Sequence, residues 1–310
     1  MIRVSTLLSA LPGCFAQGII WGIMALGLFV TFRVLEYSDL TVDGSFATGG
    51  AITVMLIING CNPWIAILLA VLAGILCGLV TGLLHTRLGI APILSGILTQ
   101  IALYSVNLHI LGNKANQAVS VDRFPLLLSL RQPGKAILVA GLFALALIGI
   151  SYWFFGTELG SSIRATGANP HMSRAQGINI DRMKVLALGL ANGTVALSGG
   201  LMAQYQGFAD VSMGRGAIVI GLAAIIIGEV VQRLFSKEGL NYAVILGFVI
   251  VGGIVYYLVM GVALWLRLPT NDLKLFTAVI VAAALAIPHL REKGYGSNRS
   301  AAKKGGAENG

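Results

Sequence analysis

The chain has 310 residues, of which 56% are hydrophobic and 11% charged, with 21 Lys and Arg against 12 Asp and Glu and a mean hydropathy of +0.86. Soluble domains carry roughly 25% charged residues, so the solvent for most of this chain is lipid. The net charge of +9 does not point to nucleic acid, because the bases sit in loops and in the tail REKGYGSNRSAAKKGGAENG, where positive-inside topology accounts for them.

Apolar runs long enough to cross ~30 Å of hydrocarbon recur along the chain, and each must be a helix that satisfies its own backbone. Nine spans are expected, at about 14–32, 45–59, 63–84, 91–111, 136–155, 185–207, 216–234, 242–264 and 274–290. The second is short and reads as tilted or broken. The fold class is therefore all-α and polytopic: one transmembrane domain over 1–290, followed by a basic tail at 291–310 expected to be disordered in the cytoplasm. The first run lacks a small-residue cleavage site, which argues against a removable signal peptide. Cys14, Cys61 and Cys77 share no metal-ligand spacing and lie in or beside apolar runs; no disulfide framework is implied.

A cytoplasmic tail and an odd number of crossings place the N-terminus outside. Most Lys and Arg then fall inside, although Lys114, Arg123, Arg131 and Lys135 share one outer loop.

Taken in chain order, the informative features begin at Gly74, Gly78 and Gly82, a repeated G-x-x-x-G that admits a close backbone. In the span at 91–111, Gln100, Tyr104 and Asn107 share one helix face, with Ser95 and Thr99 beside it. Uncharged hydrogen-bonding groups inside a span suit either a solute pathway or bonds between helices; Asn192, Gln204 and Tyr205 in the span at 185–207 raise the same alternatives. Gly189 and Gly193 repeat the small-residue spacing there.

The loop at 156–184 contains RATGANPHMSRAQGIN, a polar and basic interruption between two apolar spans. Asn169 is a good helix N-cap, Pro170 suits the first helical position, and Gly177 can adopt the left-handed conformation that ends a helix. Seven residues do not make a stable helix alone in water. Met172, Ala175 and Gln176 fall on one side, with Arg174 pointing elsewhere, which describes either a peg for a partner or an interfacial helix tucked under its own bundle. Further on, Glu229 and Arg233 are spaced to pair with each other.

An internal echo links DGSFATGGAIT, from Asp43, with DVSMGRGAIVI, from Asp210. The topology sets Asp43 inside and Asp210 outside, the arrangement of an inverted repeat, whose interface carries a transport pathway; chance likeness between glycine-rich segments is the alternative.

The stretch from Gly156 to Gly216 resembles the coupling region of permeases of the branched-chain amino acid type, the membrane subunits of bacterial ABC importers. The family form R-A-x-G-x-N-P-x-x-A-x-x-x-G-I is met here by Arg164, Ala165, Gly167, Asn169, Pro170, Gly177 and Ile178. The alanine departs from it, since Ser173 and Arg174 precede Ala175. The stretch GIIWGIMALGLFVTFRVLEYSDLTVDGSFATGGA is similar to the same family, and DLTVDGSF to its branch for aromatic amino acids such as tryptophan or tyrosine.

The resemblance implies a dimer of permeases, either two identical copies or two homologues, in a bacterial cytoplasmic membrane. Two ATPases grip the segment that holds Arg164, Gly167, Asn169, Pro170, Met172, Arg174, Ala175 and Gly177, and an extracytoplasmic binding lipoprotein sits outside. Chemistry then lies on another chain, with no cofactor here: the sequence has no G-x-x-x-x-G-K-[ST], and GKAIL at 134–138 lacks its flanking residues. An ion-driven transporter or channel is the rival class; with Glu229 the only acid read inside a span, little material for a proton relay is expected. An integral membrane enzyme would need clustered acids or histidines, and His85, His109, His171 and His289 are scattered.

Overall fold

The computed structural model describes residues 4–235 and 241–265, together with positions 275, 278, 279 and 282. The order is α1 (Val4–Phe29), a π-helical turn (Val30–Val34), α2 (Val42–Ile58), α3 (Pro63–Leu88), α4 (Pro92–Ile110), β1 (Asn116–Ala118), α5 (Pro133–Gly156), α6 (Glu158–Ala168), α7 (Pro170–Ala175), α8 (Ile180–Gln206), β2 (Phe208–Asp210), α9 (Ala217–Phe235) and α10 (Tyr242–Trp265). Among the described residues, six helices are long and apolar enough to cross a membrane. Helices occupy eight of the nine expected spans, α2 being the short one. The ninth span, 274–290, and the tail at 291–310 fall outside the described stretches.

Local chemistry fixes the helix ends. Asn62 and Asn179 accept hydrogen bonds from the N–H groups of Trp64 and Arg182, capping α3 and α8, and Pro63, Pro92 and Pro133 stand in first turns where a missing N–H costs nothing. Gly89 and Gly207 end α3 and α8 in the left-handed region, with φ of 68° and 78°.

The helices α1 and α8 form the centre. Ile20, Ile23, Met24 and Leu28 of α1 and Leu188, Val195 and Leu201 of α8 are fully buried. Glycine sets how closely α3 meets α8. A Cβ on Gly74 would crowd the Asn192 carbonyl, one on Gly78 would collide with the Leu188 carbonyl, and one on Gly82 would press on Val185. From the other side, Gly189 and Gly193 lie against Leu79 and Ile75. The falling partner numbers show an antiparallel pair in near backbone contact. By contrast α5 is peripheral, with Leu138, Leu142, Leu145, Ile150 and Trp153 exposed, the state of a surface that faces lipid or another chain.

One side of the molecule carries the short antiparallel pairing of β1 with β2, in which Gln117 faces Ala209. On this side the backbone N–H groups of Leu127 and Leu130 bond to Gln204 Oε1 and the Tyr205 carbonyl at the end of α8. The opposite side carries α6 and α7. What the sequence reads as one loop with a single helix is mostly helical, since α6 packs Ile163, Thr166 and Gly167 inward.

Candidate functional site

Between α1 and α2 the chain does not close into a tight turn. Residues 36–40 have no helical or strand pairing, and they climb along α4: the Tyr37 hydroxyl meets Ser95 at 2.9 Å, Leu40 lies against Gly96, and Thr41 meets Thr81, which in turn donates to Thr99. Irregular backbone at membrane depth is tolerated only where protein or water satisfies it. Here Asp39, fully buried, accepts from the Thr41 N–H at 2.9 Å and from Asn192 Nδ2 at 2.6 Å. The other end of the Asn192 amide accepts from the Ser45 hydroxyl at 2.6 Å. One polar knot thus ties the extended segment to α2, α3, α4 and α8.

The next turn of chain makes a second junction. The Asp43 carboxylate accepts hydrogen bonds from the N–H groups of Gly216, at 3.0 Å, and Ile218, at 3.1 Å, so a residue in the first turn of α2 caps the N-terminus of α9. Gly214 lets this happen, because a Cβ there would collide with the Asp43 carbonyl. Helix N-termini carry partial positive charge and unpaired donors, and Asp43 answers both for α9. The two echoing stretches meet here, because the segment that follows Asp210 returns through Gly214 and Gly216 to Asp43.

Beside this junction lies a cavity of roughly 410 Å³, lined among others by Asp43, Gln100, Tyr104, Asn107, Val211 and Arg215. The exposed Arg215 guanidinium lies 5.9 Å from the centre of the Tyr104 ring, within cation–π range. The face of α4 singled out from helical spacing therefore lines a polar hollow. Asn192, Gln204 and Tyr205 are placed differently. All three are enclosed, Asn192 in the knot with Asp39, Gln204 on the Leu127 N–H, and Tyr205 reaching the Gly13 carbonyl. Their hydrogen bonds join parts of one subunit.

The second candidate region is the polar interruption. Asn169 caps α7, its side chain accepting from the Met172 N–H at 3.0 Å, with Pro170 in the first turn. Gly177 follows at φ 82°, and the Ile178 N–H closes back on the Ser173 carbonyl. Ser173 is the buried residue of α7; Met172 is 58% exposed, and Arg174, Ala175 and Gln176 are exposed too. Arg164 is exposed on α6 beside Trp153 and Tyr242. Gly167 differs from its neighbours, being buried where a Cβ would collide with the Val34 carbonyl. It is the point at which α6 touches the end of the π-helical turn, one residue before the buried Leu35.

Two readings of charge change. Glu229 is ion-paired with Arg33 of the π-helical turn, not with Arg233; residues at i and i+4 are neighbours on a helix, but the bundle offers Glu229 a cation from across α1. Asp39 and Asp43, which lie between the expected spans 14–32 and 45–59, are also acids held inside the bundle. The signal that marks them is the shortness of the second span, because a helix that starts late leaves the preceding Y-S-D-L-T inside the membrane layer. Among the described residues no three His, Cys, Asp or Glu side chains gather as a metal site would require.

Comparison with known sequences agrees with this architecture. Residues 11–287 match the family described as branched-chain amino acid transport system / permease component. The chain is 37% identical to the tyrosine transport system permease protein of Clostridioides difficile, over 91% of this chain and 92% of that one. It is also 27% identical to the ribose import permease protein RbsC of Bacillus subtilis, over 84% and 80%. No solved structure matches. The chain is thus a transport subunit of an ABC importer rather than an enzyme, with ATP hydrolysis on a separate subunit. With the match running over nearly the whole length, through both the polar junction and the segment of α6 and α7, the chain belongs to the branched-chain amino acid transport system / permease component family.

Proposed function

We propose that this permease carries an amino acid, of aromatic type like tyrosine, along a path that passes the hollow beside Gln100, Tyr104, Asn107 and Arg215. The observation that carries the reading is the exposed Arg215. It stands at the level of Asp43 and the middle of α4, and an arginine at such depth facing acyl chains costs at least about 2.5 kcal/mol. Its face is therefore wet, and a second permease copy, identical or homologous, closes the path around it. The aromatic cargo follows the tyrosine permease similarity.

Two helix N-termini that meet head to head at Asp43 fit the inverted repeat read from the echo of 43–53 and 210–220. The side with α6 and α7 is cytoplasmic in this reading, and so is the basic tail, which leaves the N-terminus outside. ATPase subunits grip the exposed Met172, Arg174 and Ala175 of α7 with Gln176 just after it, and a solute-binding lipoprotein docks on the side of β1 and β2. Motion of α7 passes into α8 by direct connection, and through Gly167 into Val34 and the extended segment that holds Asp39. The conduit is thereby linked to the motor without any nucleotide site on this chain.

The test is ATP-dependent uptake of radiolabelled L-tyrosine by liposomes that contain the permease with its ATPase and binding protein. Saturable uptake that stops without ATP supports the reading. Uptake that continues with the ATPase subunit omitted, driven by an ion gradient, overturns it.

A further inference from the structure

The hollow at the α2–α9 junction holds more polar capacity than the fold uses. Among the described residues the Arg215 guanidinium makes no ion pair, its charged neighbour Asp43 being engaged by the N–H groups of Gly216 and Ile218. In the same cavity Asn107 is 1% exposed. Its Nδ2 approaches the Gly44 carbonyl at 3.5 Å, while its Oδ1, fully enclosed, has no hydrogen-bond partner. A buried acceptor left unpaired is costly, so an orphan of this kind calls for a donor that arrives from outside the chain. An unpaired cation and an unpaired acceptor share one cavity, and its size, roughly 410 Å³, is within the ordinary range for small-molecule sites.

We propose that this cavity is a binding station for the zwitterionic head of an α-amino acid, with Arg215 taking the carboxylate and Asn107 Oδ1 taking an N–H of the ammonium group. The inference rests on the reading of the hollow as part of the transport path, and it adds that the permease itself inspects the cargo's backbone end. Asp43 supplies a second attraction for the ammonium group, its negative charge lying at the cavity wall. The geometry discriminates by chemistry: a sugar brings neither charge, an organic acid leaves Asn107 unpaired, and an amine leaves Arg215 unpaired. The station is open on one side, as suits a solute that must leave again.

Saturation-transfer NMR tests this on the permease–ATPase complex in lipid nanodiscs without the binding protein. The probes are L-tyrosine, tyramine, which lacks the carboxylate, and 3-(4-hydroxyphenyl)propionate, which lacks the ammonium; L-alanine serves as a zwitterion with a different side chain. In the unaltered complex L-tyrosine binds about tenfold tighter than either truncated compound, the size of one charge-assisted hydrogen bond. Arg215→Gln erases the difference between L-tyrosine and tyramine, Arg215→Lys restores part of it, and Asn107→Leu narrows the difference between L-tyrosine and the propionate to what the charge of Asp43 sustains. Co-purification of the ATPase and an unshifted gel-filtration profile report that each variant is folded. Equal binding of L-tyrosine and tyramine, or L-tyrosine binding unchanged by Arg215→Gln, overturns the proposal even where tyrosine uptake is observed. Zwitterion-selective binding of L-alanine with no tyrosine uptake keeps the station and refutes the aromatic cargo.

Discussion

Asp39 and Asn192, 153 positions apart in sequence, share a buried hydrogen bond of 2.6 Å at the point where the chain has left one helix and not yet begun the next. The Asn192 amide is also committed to Ser45 and to the Leu188 carbonyl. Replacement of Asn192 by Leu removes one of the donors to Asp39 and leaves a fully buried acid short of a hydrogen bond. The expected cost is about 1.5–3 kcal/mol, the range for a hydrogen bond to a charged partner. It is read as a lowered melting temperature of the purified permease, and the double change Asp39→Asn with Asn192→Leu should cost less than the sum of its parts.

Close packing of α3 on α8 gives a sharper contrast. Gly78→Ala places a methyl group on the Leu188 carbonyl, backbone against backbone, with no side chain able to move aside. Gly141→Ala, on the exposed α5, meets nothing and lies in a helix where alanine is favoured. The first variant should fail to accumulate in the membrane as a folded species, and the second should accumulate at the original level or above. Quantitative fluorescence gel filtration of both separates the cases, and equal accumulation would contradict the packing account.

The cap of α7 is open to a separate test. Asn169→Ala removes the acceptor for the Met172 N–H and costs about 1 kcal/mol locally, a large share of what holds six residues helical. Gly177→Val forces a β-branched residue into a left-handed φ of 82°. Each should depress ATP-dependent uptake several-fold while the purified permease melts within a few degrees of the original. A melting temperature that falls in step with uptake would show α7 to be mere scaffolding.

Gly167 separates gripping from transmission. A methyl group there strikes the Val34 carbonyl and pushes α6 off the π-helical turn, yet leaves the exposed face of α7 untouched. Gly167→Ala should retain the ATPase on co-purification, and the binding protein should no longer stimulate ATP hydrolysis. Retained stimulation would place the transmission route elsewhere, through α8 alone.

Sidedness can be read directly. In a background with Cys14, Cys61 and Cys77 replaced, His171→Cys should react with a membrane-impermeant maleimide only in inverted vesicles. Reaction in intact cells would put α7 on the outer face and remove the basis of coupling.

Much of this was legible because it depends on near neighbours in sequence. Asn169, Pro170 and Gly177 specify a cap, a first turn and a stop within nine positions, and the four-residue spacing of Gly74, Gly78 and Gly82 announces a close approach whichever helix provides it. The Gln100, Tyr104 and Asn107 face follows from helical periodicity alone. Asn192, Gln204 and Tyr205 show the limit: periodicity puts a polar group inside a span but does not say whether solvent or another helix meets it. Glu229 makes the same point, since its local partner Arg233 was visible and its actual partner Arg33 lies 196 positions away. Asp39 went unread as a membrane-embedded acid because hydropathy draws the second span from its apolar core outward, and an extended approach inside the protein leaves no apolar trace.

The non-helical approach of residues 37–40 bears on how far α2 can travel. Four extended residues reach up to roughly 14 Å, whereas the same four wound into helix cover about 6 Å. Two rigid rods joined by such a tether can slide past one another by more than a full helical pitch without breaking a helix. The bonds of Tyr37 to Ser95, of Asp39 to Asn192 and of Thr41 to Thr81 hold that stroke in check.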